Sequence, residues 1–201
     1  MTQLLLASTN PGKVREILDL LGDLAVEVIT PQHIGLSLDI EEDGATYAEN
    51  AAIKAQSYAR LAHMLTLGDD SGLEVDALGG LPGLRSARFS QKPKATDADR
   101  RAYLLQRLQD YPRPWTARFR CTVALATPTG GLFFSEGECL GEIIPEERGQ
   151  NGFGYDPIFL LNDLGLTMAE LSTEMKNRLS HRARAILAAR PTLTKLITSQ
   201  V

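Results

Sequence analysis

Hydrophobic and polar positions recur along this chain with two different periods. Residues 3–8, QLLLAS, form a short unbroken apolar run, which predicts a buried strand. Val14, Ile17, Leu18 and Leu21 then repeat at helical spacing, with Asn10 placed to cap, Pro11 in the first turn and Gly22 as the stop. A second helix is predicted from Thr46, because Thr46 and Glu49 stand three apart as a capping box. Ala51, Ala55, Ala59 and Ala62 give that helix a narrow face for close packing, while Asn50, Lys54 and Ser57 run along another side. Residues 64–67, MLTL, read as a strand ending at the DDSG of residues 69–72. Leu104, Leu105 and Leu108 mark a third helix over residues 97–109. Ala117, Phe119, Cys121, Val123 and Leu125 alternate with Arg118, Arg120 and Thr122, as in a half-buried strand. PTGG at 128–131 turns that strand into a hairpin partner, LFFSEGECLGEII. Thr167 and Glu170 form another possible capping box, and the last helix is expected to stop at Pro191.

Strands and helices alternate early and a hairpin comes late, which predicts an α/β fold with a mixed sheet. The 201 residues suit one large domain or two small lobes. A net charge of −4 supplies no global basic field, so neither nucleic acid nor an anionic membrane is expected as a partner. No apolar stretch is long enough to span a bilayer, and the opening LLLA is too short for a signal-peptide core. Cys121 and Cys139 match no zinc spacing and read as buried thiols of a reducing compartment, so a cytoplasmic location is expected. The polar residues 90–99, SQKPKATDAD, are the best candidate for a mobile connection.

Two adjacent carboxylates, Asp69 and Asp70, follow a buried run. At about 4 Å apart they would repel by roughly 4 kcal/mol at an effective dielectric near 20. Either a cation neutralises them or one points to water; a plain turn is the simpler reading. Four carboxylates at Asp39, Glu41, Glu42 and Asp43 form a solvated loop, or else bring Glu41 or Glu42 to Asp70 around a divalent cation. The strand–loop–helix of Ser8, Thr9, Asn10, Pro11, Gly12 and Lys13 presents free N–H groups and a lysine, a possible anion site. It is no Walker A loop, which needs another glycine and a hydroxyl after the lysine. Lys54 is a second possible phosphate contact. RGQNGFGYDP, residues 148–157, brackets Phe153 and Tyr155 with glycines, suited to stacking on a base or to a bulged hairpin. Lys176, Arg178, His181 and Arg182 gather donors for oxygen acceptors.

Together, ASTNPGK, EEDGATYAENAAIKA, DDSGLEVDALGGLPGLRSARF, GFGYDPIF and EMKNRLSHR resemble the inosine/xanthosine triphosphate pyrophosphatase family over nearly the whole chain. The resemblance implies a single domain of two lobes, an elongated mixed sheet flanked by helices and a central groove. It implies hydrolysis of ITP, dITP and XTP to monophosphate and pyrophosphate, with Mg²⁺ and commonly a homodimer. Ser8, Thr9, Asn10, Pro11, Gly12, Lys13 and Lys54 would hold phosphates. Glu41 (with Glu42 as rival) and Asp70 would serve the metal. Asp70 would also take the proton of the attacking water, and Ser71 would touch substrate. Phe153, Gly154, Tyr155 and Asp156 would frame base and sugar, with Lys176, His181 and Arg182 reading the 6-oxo edge. Ala183 departs from the glycine many relatives carry after SHR. The alternatives are a pyrophosphatase for other modified nucleotides and a nucleotide sensor that never hydrolyses.

Overall fold

The computed structural model describes residues 2–198. Among these described residues seven strands form one sheet in the order β2-β1-β3-β4-β5-β6-β7. They are β1 Thr2–Leu6, β2 Val26–Ile29, β3 Thr66–Val75, β4 Trp115–Ala126, β5 Leu132–Ile143, β6 Phe159–Leu161 and β7 Leu166–Thr167. The helices are α1 Pro11–Leu21, α2 Tyr47–Ala62, α3 Asp97–Leu108, α4 Thr173–Leu179 and α5 His181–Thr198. β1 runs parallel to both β2 and β3, whereas β5, β6 and β7 pair antiparallel, so the sheet is mixed as expected.

The chain divides into two compact units, Met1–Ser71 with Cys121–Gly137 and His181–Val201, and Gly72–Arg120 with Glu138–Ser180. In the first unit, one core joins Leu4 and Leu6 of β1, Leu67 of β3 and Val123 of β4 to Ile17 of α1 and Ile186 and Leu193 of α5. A second cluster on α2 sets Ala51, Ala55 and Ala59 against Ala124 and Ala126 of β4, the small-residue face the sequence predicts. Gly68 completes that contact. A Cβ there would meet Ala51 O at 2.8 Å and Ala55 N at 3.0 Å, so only glycine lets α2 lie so close to β3. The second unit has its own core, including Leu73, Leu104, Trp115, Phe119, Ile158 and Phe159. Both cysteines are buried, and burial pushes the Cys121 thiol up to about 12.

Local signals hold at the helix starts. Asn10 Oδ1 accepts from Gly12 N and Lys13 N, and Thr46 with Glu49 forms the capping box of α2. The Thr167–Glu170 box also forms, but it opens a single 3₁₀ turn, Met168–Glu170. Two expectations fail. β3 does not end at Asp69 and Asp70 but continues to Val75, because cations neutralise both carboxylates. α5 does not stop at Pro191. Ala189, Leu193 and Ile197 stay buried on the same side as Ala185 and Ile186, so packing outweighs the lost N–H of the proline.

Candidate active site

Successive side chains of a strand leave on opposite faces. That alternation separates Asp69 from Asp70. Asp69 follows Leu65 and Leu67 toward the α1 and α5 side. Its Oδ2 lies 3.0 Å from Lys13 Nζ and 3.3 Å from Arg182 Nε. Asp70 follows Gly68 toward α2, where Asn50 Nδ2 donates to its Oδ2 at 3.2 Å and Lys54 Nζ lies 3.7 Å from its Oδ1. The repulsion is offset by direct ion pairs on both faces, Lys13 and Arg182 with Asp69 and Lys54 with Asp70.

The two carboxylates differ electrostatically as a result. Burial alone would raise the Asp69 carboxyl, but the charges of Lys13, Arg182 and Lys54 hold it well below the usual carboxylate range. For Asp70 the balance reverses. Burial, aided by Glu42, lifts its carboxyl above the ordinary value despite Lys54, Lys13 and the Asn50 amide. Lys54 is half of a tight arrangement of its own. Its burial favours the neutral amine, yet Asp69, Asp70 and Glu42 together raise it above the ordinary lysine value, so it remains cationic.

The acidic loop enters this cluster through Glu42, whose Oε2 accepts from Lys54 Nζ at 3.0 Å. Asn50 ties the same loop down, because its Oδ1 accepts from Gly44 N at 2.9 Å while its amide serves Asp70. Glu41 is exposed. The loop's link to Asp70 therefore runs through Glu42, the residue set second on sequence grounds.

At the N-terminal loop, Ser8 Oγ accepts from Asn10 N at 3.3 Å, and Thr9, Asn10 and Pro11 are exposed. Asn10 already occupies the N–H groups of Gly12 and Lys13 at 2.9 and 3.2 Å, so an anion reaching them must displace its amide. Arg182, buried to 2% exposure, spreads its guanidinium over Asp69, Glu16 and Ser71, with Nη2 donating to Ser71 Oγ at 2.9 Å. Glu16 went unremarked in the sequence; its position one turn beyond Lys13 on α1 was the available signal. His181 is buried as the first residue of α5, and a Cβ at Gly137 would strike its carbonyl at 2.2 Å.

In the second unit Lys176 Nζ donates to Asp156 Oδ2 at 2.6 Å, both side chains being buried. The same Oδ2 accepts from Phe153 N at 2.9 Å, and the Lys176 ammonium lies 5.3 Å from the Phe153 ring centroid. Tyr155 is buried and donates its hydroxyl to Ser86 O at 2.9 Å. The loop is a 3₁₀-flanked turn, not a bulged hairpin.

The profile of the Ham1 family matches residues 4–192. This chain belongs to the Ham1 family. It is 44% identical over 199 residues to a dITP/XTP pyrophosphatase of Desulforamulus reducens, covering 98% of each chain. It is 45% identical to the dITP/XTP pyrophosphatase of Geobacter sulfurreducens, covering 92% of this chain and 94% of the relative. Among solved structures, a HAM1 protein from Coxiella burnetii aligns with a TM-score of 0.84 and 39% identity, over 99% of this chain and 100% of that one. The family resemblance carried by the five motifs, and the mixed α/β fold it implies, are thereby borne out.

A family enzyme of this kind is expected to use Mg²⁺, and the residues fit that ion. Among the described residues no three His, Cys, Asp or Glu side chains gather as a protein-only cage. Magnesium does not need one, since it commonly takes one or two carboxylates, waters and substrate phosphates. Glu42 and Asp70 supply such a pair: both turn toward a single positive charge, the Lys54 ammonium.

Proposed function

We propose that this chain hydrolyses the non-standard purine nucleotides ITP, dITP and XTP to monophosphate and pyrophosphate. The observation that carries the reading is Asp70: a mostly buried carboxylate, raised above its ordinary value, sharing one lysine with Glu42 in a chain whose relatives are named dITP/XTP pyrophosphatases. A raised carboxylate is a better proton acceptor than a free one, and a positioned base is worth about 10²–10⁴-fold in rate.

In this reading Asp70 takes the proton of the water that attacks phosphorus, and Asn50 holds the carboxylate in place. Ser8, Thr9, Asn10, Pro11, Gly12, Lys13 and Lys54 receive the phosphates. Mg²⁺, held by Asp70 with Glu42 or Glu41, supplies charge neutralisation when bound. Lys54 is held cationic by its carboxylate partners, so it offers a full charge to a polyanion. Phe153, Gly154, Tyr155 and Asp156 serve base and sugar. Lys176, His181 and Arg182 donate toward a 6-oxo group, where adenine would present an opposing donor. Arg182 reaches a ligand by releasing Ser71 Oγ, its neutral partner.

The remaining parts of the reading are a homodimer in a cytoplasmic setting. Among the described residues no helix is long and apolar enough to cross a membrane. A nucleotide panel tests the function: pyrophosphate release from ITP, dITP, XTP, GTP and ATP, with and without Mg²⁺. kcat/KM for the first three should exceed that for ATP by as much as about 10⁴-fold and require the metal. Equal values across the panel would defeat the selectivity, and binding without pyrophosphate release would identify a sensor.

A further inference from the structure

The sequence singles out the glycine-bracketed stretch at residues 148–157 but assigns nothing to hold it. The holding comes from the first turn and a half of α3. Asp97 and Arg101 stand four apart, on one face of that helix. Asp97 Oδ2 accepts from Gly154 N at 2.8 Å. Arg101 Nη1 donates to Gly154 O at 2.9 Å. Both backbone groups of one residue are therefore taken by two ionised side chains of one helix.

Each clamp is itself fixed. Arg101 meets Glu147 as a fork, Nε to Oε1 and Nη2 to Oε2, both at 2.8 Å. Asp97 gives its other oxygen to Arg100, whose Nη1 donates to Ala95 O at 2.7 Å. Burial would raise the Asp97 carboxyl, but the Gly154 N–H and Arg100 hold it below the ordinary value, so it stays an acceptor. Gly154 itself has φ +62°, which glycine adopts freely but does not hold to the exclusion of other conformations, so the two side chains fix the orientation of this peptide. Its neighbour Phe153 carries the ring that Lys176 overlies.

We infer that Asp97 and Arg101 are positioning residues for the nucleotide's base, acting through the Gly154 peptide on Phe153 and Asp156. The inference rests on the nucleotide reading given above. A base-positioning pair has a signature that a general stabiliser lacks: it changes affinity for the nucleoside part and leaves the phosphate part alone.

The test compares XTP with inorganic triphosphate as a competitive inhibitor, both with Mg²⁺. For Arg101→Gln and Asp97→Ala, KM for XTP should rise roughly tenfold. kcat should stay within about twofold and Ki for triphosphate should not move. Asp97→Asn keeps an oxygen that can accept from Gly154 N and should stay within about threefold of native KM. If Asp97→Ala does not fold, Arg101→Gln, which removes the donor to Gly154 O, carries the test. Unchanged KM in Arg101→Gln and Asp97→Ala would overturn the inference. So would a triphosphate Ki that rises in step with KM. A native chain that hydrolyses none of XTP, ITP and dITP would instead overturn the nucleotide reading, and the inference with it.

Discussion

Lys54 Nζ lies 3.7 Å from Asp70 Oδ1, and the two groups do not share the benefit equally. Lys54 is held charged by three surrounding carboxylates, while Asp70 remains raised because burial outweighs its cation. That combination leaves Asp70 more basic than an ordinary carboxylate. Asp70→Asn keeps the volume and the contact with Asn50 but removes the basic oxygen. Turnover should fall by about 10²-fold or more, with nucleotide affinity within a few-fold of native. Single-turnover kinetics beside equilibrium binding would show both; near-native turnover would remove Asp70 from the mechanism.

Asp69 predicts a different phenotype. It is 1% exposed and joins Lys13 to the buried Arg182. Asp69→Asn leaves Arg182 short of a counter-charge, and breaking one side of a buried pair costs about 3–5 kcal/mol. The sign with pH follows from the lowered carboxyl. Below the ordinary value of 3.8 the unfolded chain takes its proton first. The stabilisation by Asp69 is therefore complete above that pH and disappears as pH falls toward the folded value. Urea midpoints of native and Asp69→Asn protein should differ fully at pH 7 and converge in acid. A gap that stays constant across pH would show that the charge is not its source.

Gly68 is the hinge between packing and chemistry on the α2 side of β3. An added methyl meets the α2 backbone at 2.8 Å, and α2 carries both Asn50 and Lys54. Gly68→Ala must push the helix outward. Overpacking of this kind typically costs about 1–3 kcal/mol. Because the displaced helix carries the partners of Asp70, kcat should drop along with the melting temperature. Loss of stability with native kcat would show that the Asp70 cluster tolerates helix movement.

What the sequence revealed and what it hid divide along physical lines. Helix starts were legible because Asn10 and Thr46 act on N–H groups two or three residues away. The alanine face of α2 was legible because period alone sets it. The extent of β3 was not, because two adjacent aspartates read as a turn unless their cations are known, and those come from residues 13, 54 and 182. α5 beyond Pro191 was hidden for a similar reason: a local rule against proline was overridden by a buried stripe that only the folded core makes visible. In the candidate site, residue types were readable and pairings were not. Glu16, Asp97 and Arg101 each look like ordinary charges on a helix until their partners far along the chain are in place.

Gly152 offers a test of the Lys176–Asp156 pair that touches neither residue. It has φ +75°, which disfavours any side chain, and a Cβ there would sit 2.0 Å from Asp156 Oδ2 and 2.8 Å from Lys176 Nζ. The clash falls on the oxygen that also accepts from Phe153 N, so Gly152→Ala must displace Asp156 from one or both donors. A displaced Asp156 leaves the Lys176 ammonium without its carboxylate and frees the Phe153 backbone. The Asp70 cluster is built from other residues and should keep its geometry. Accordingly KM for XTP should rise by about tenfold or more while kcat changes little, the opposite split from Asp70→Asn. Steady-state kinetics on the two variants side by side decide the matter. If Gly152→Ala lowers kcat with KM unchanged, the Lys176–Asp156 pair serves the chemical step and not the binding of the base.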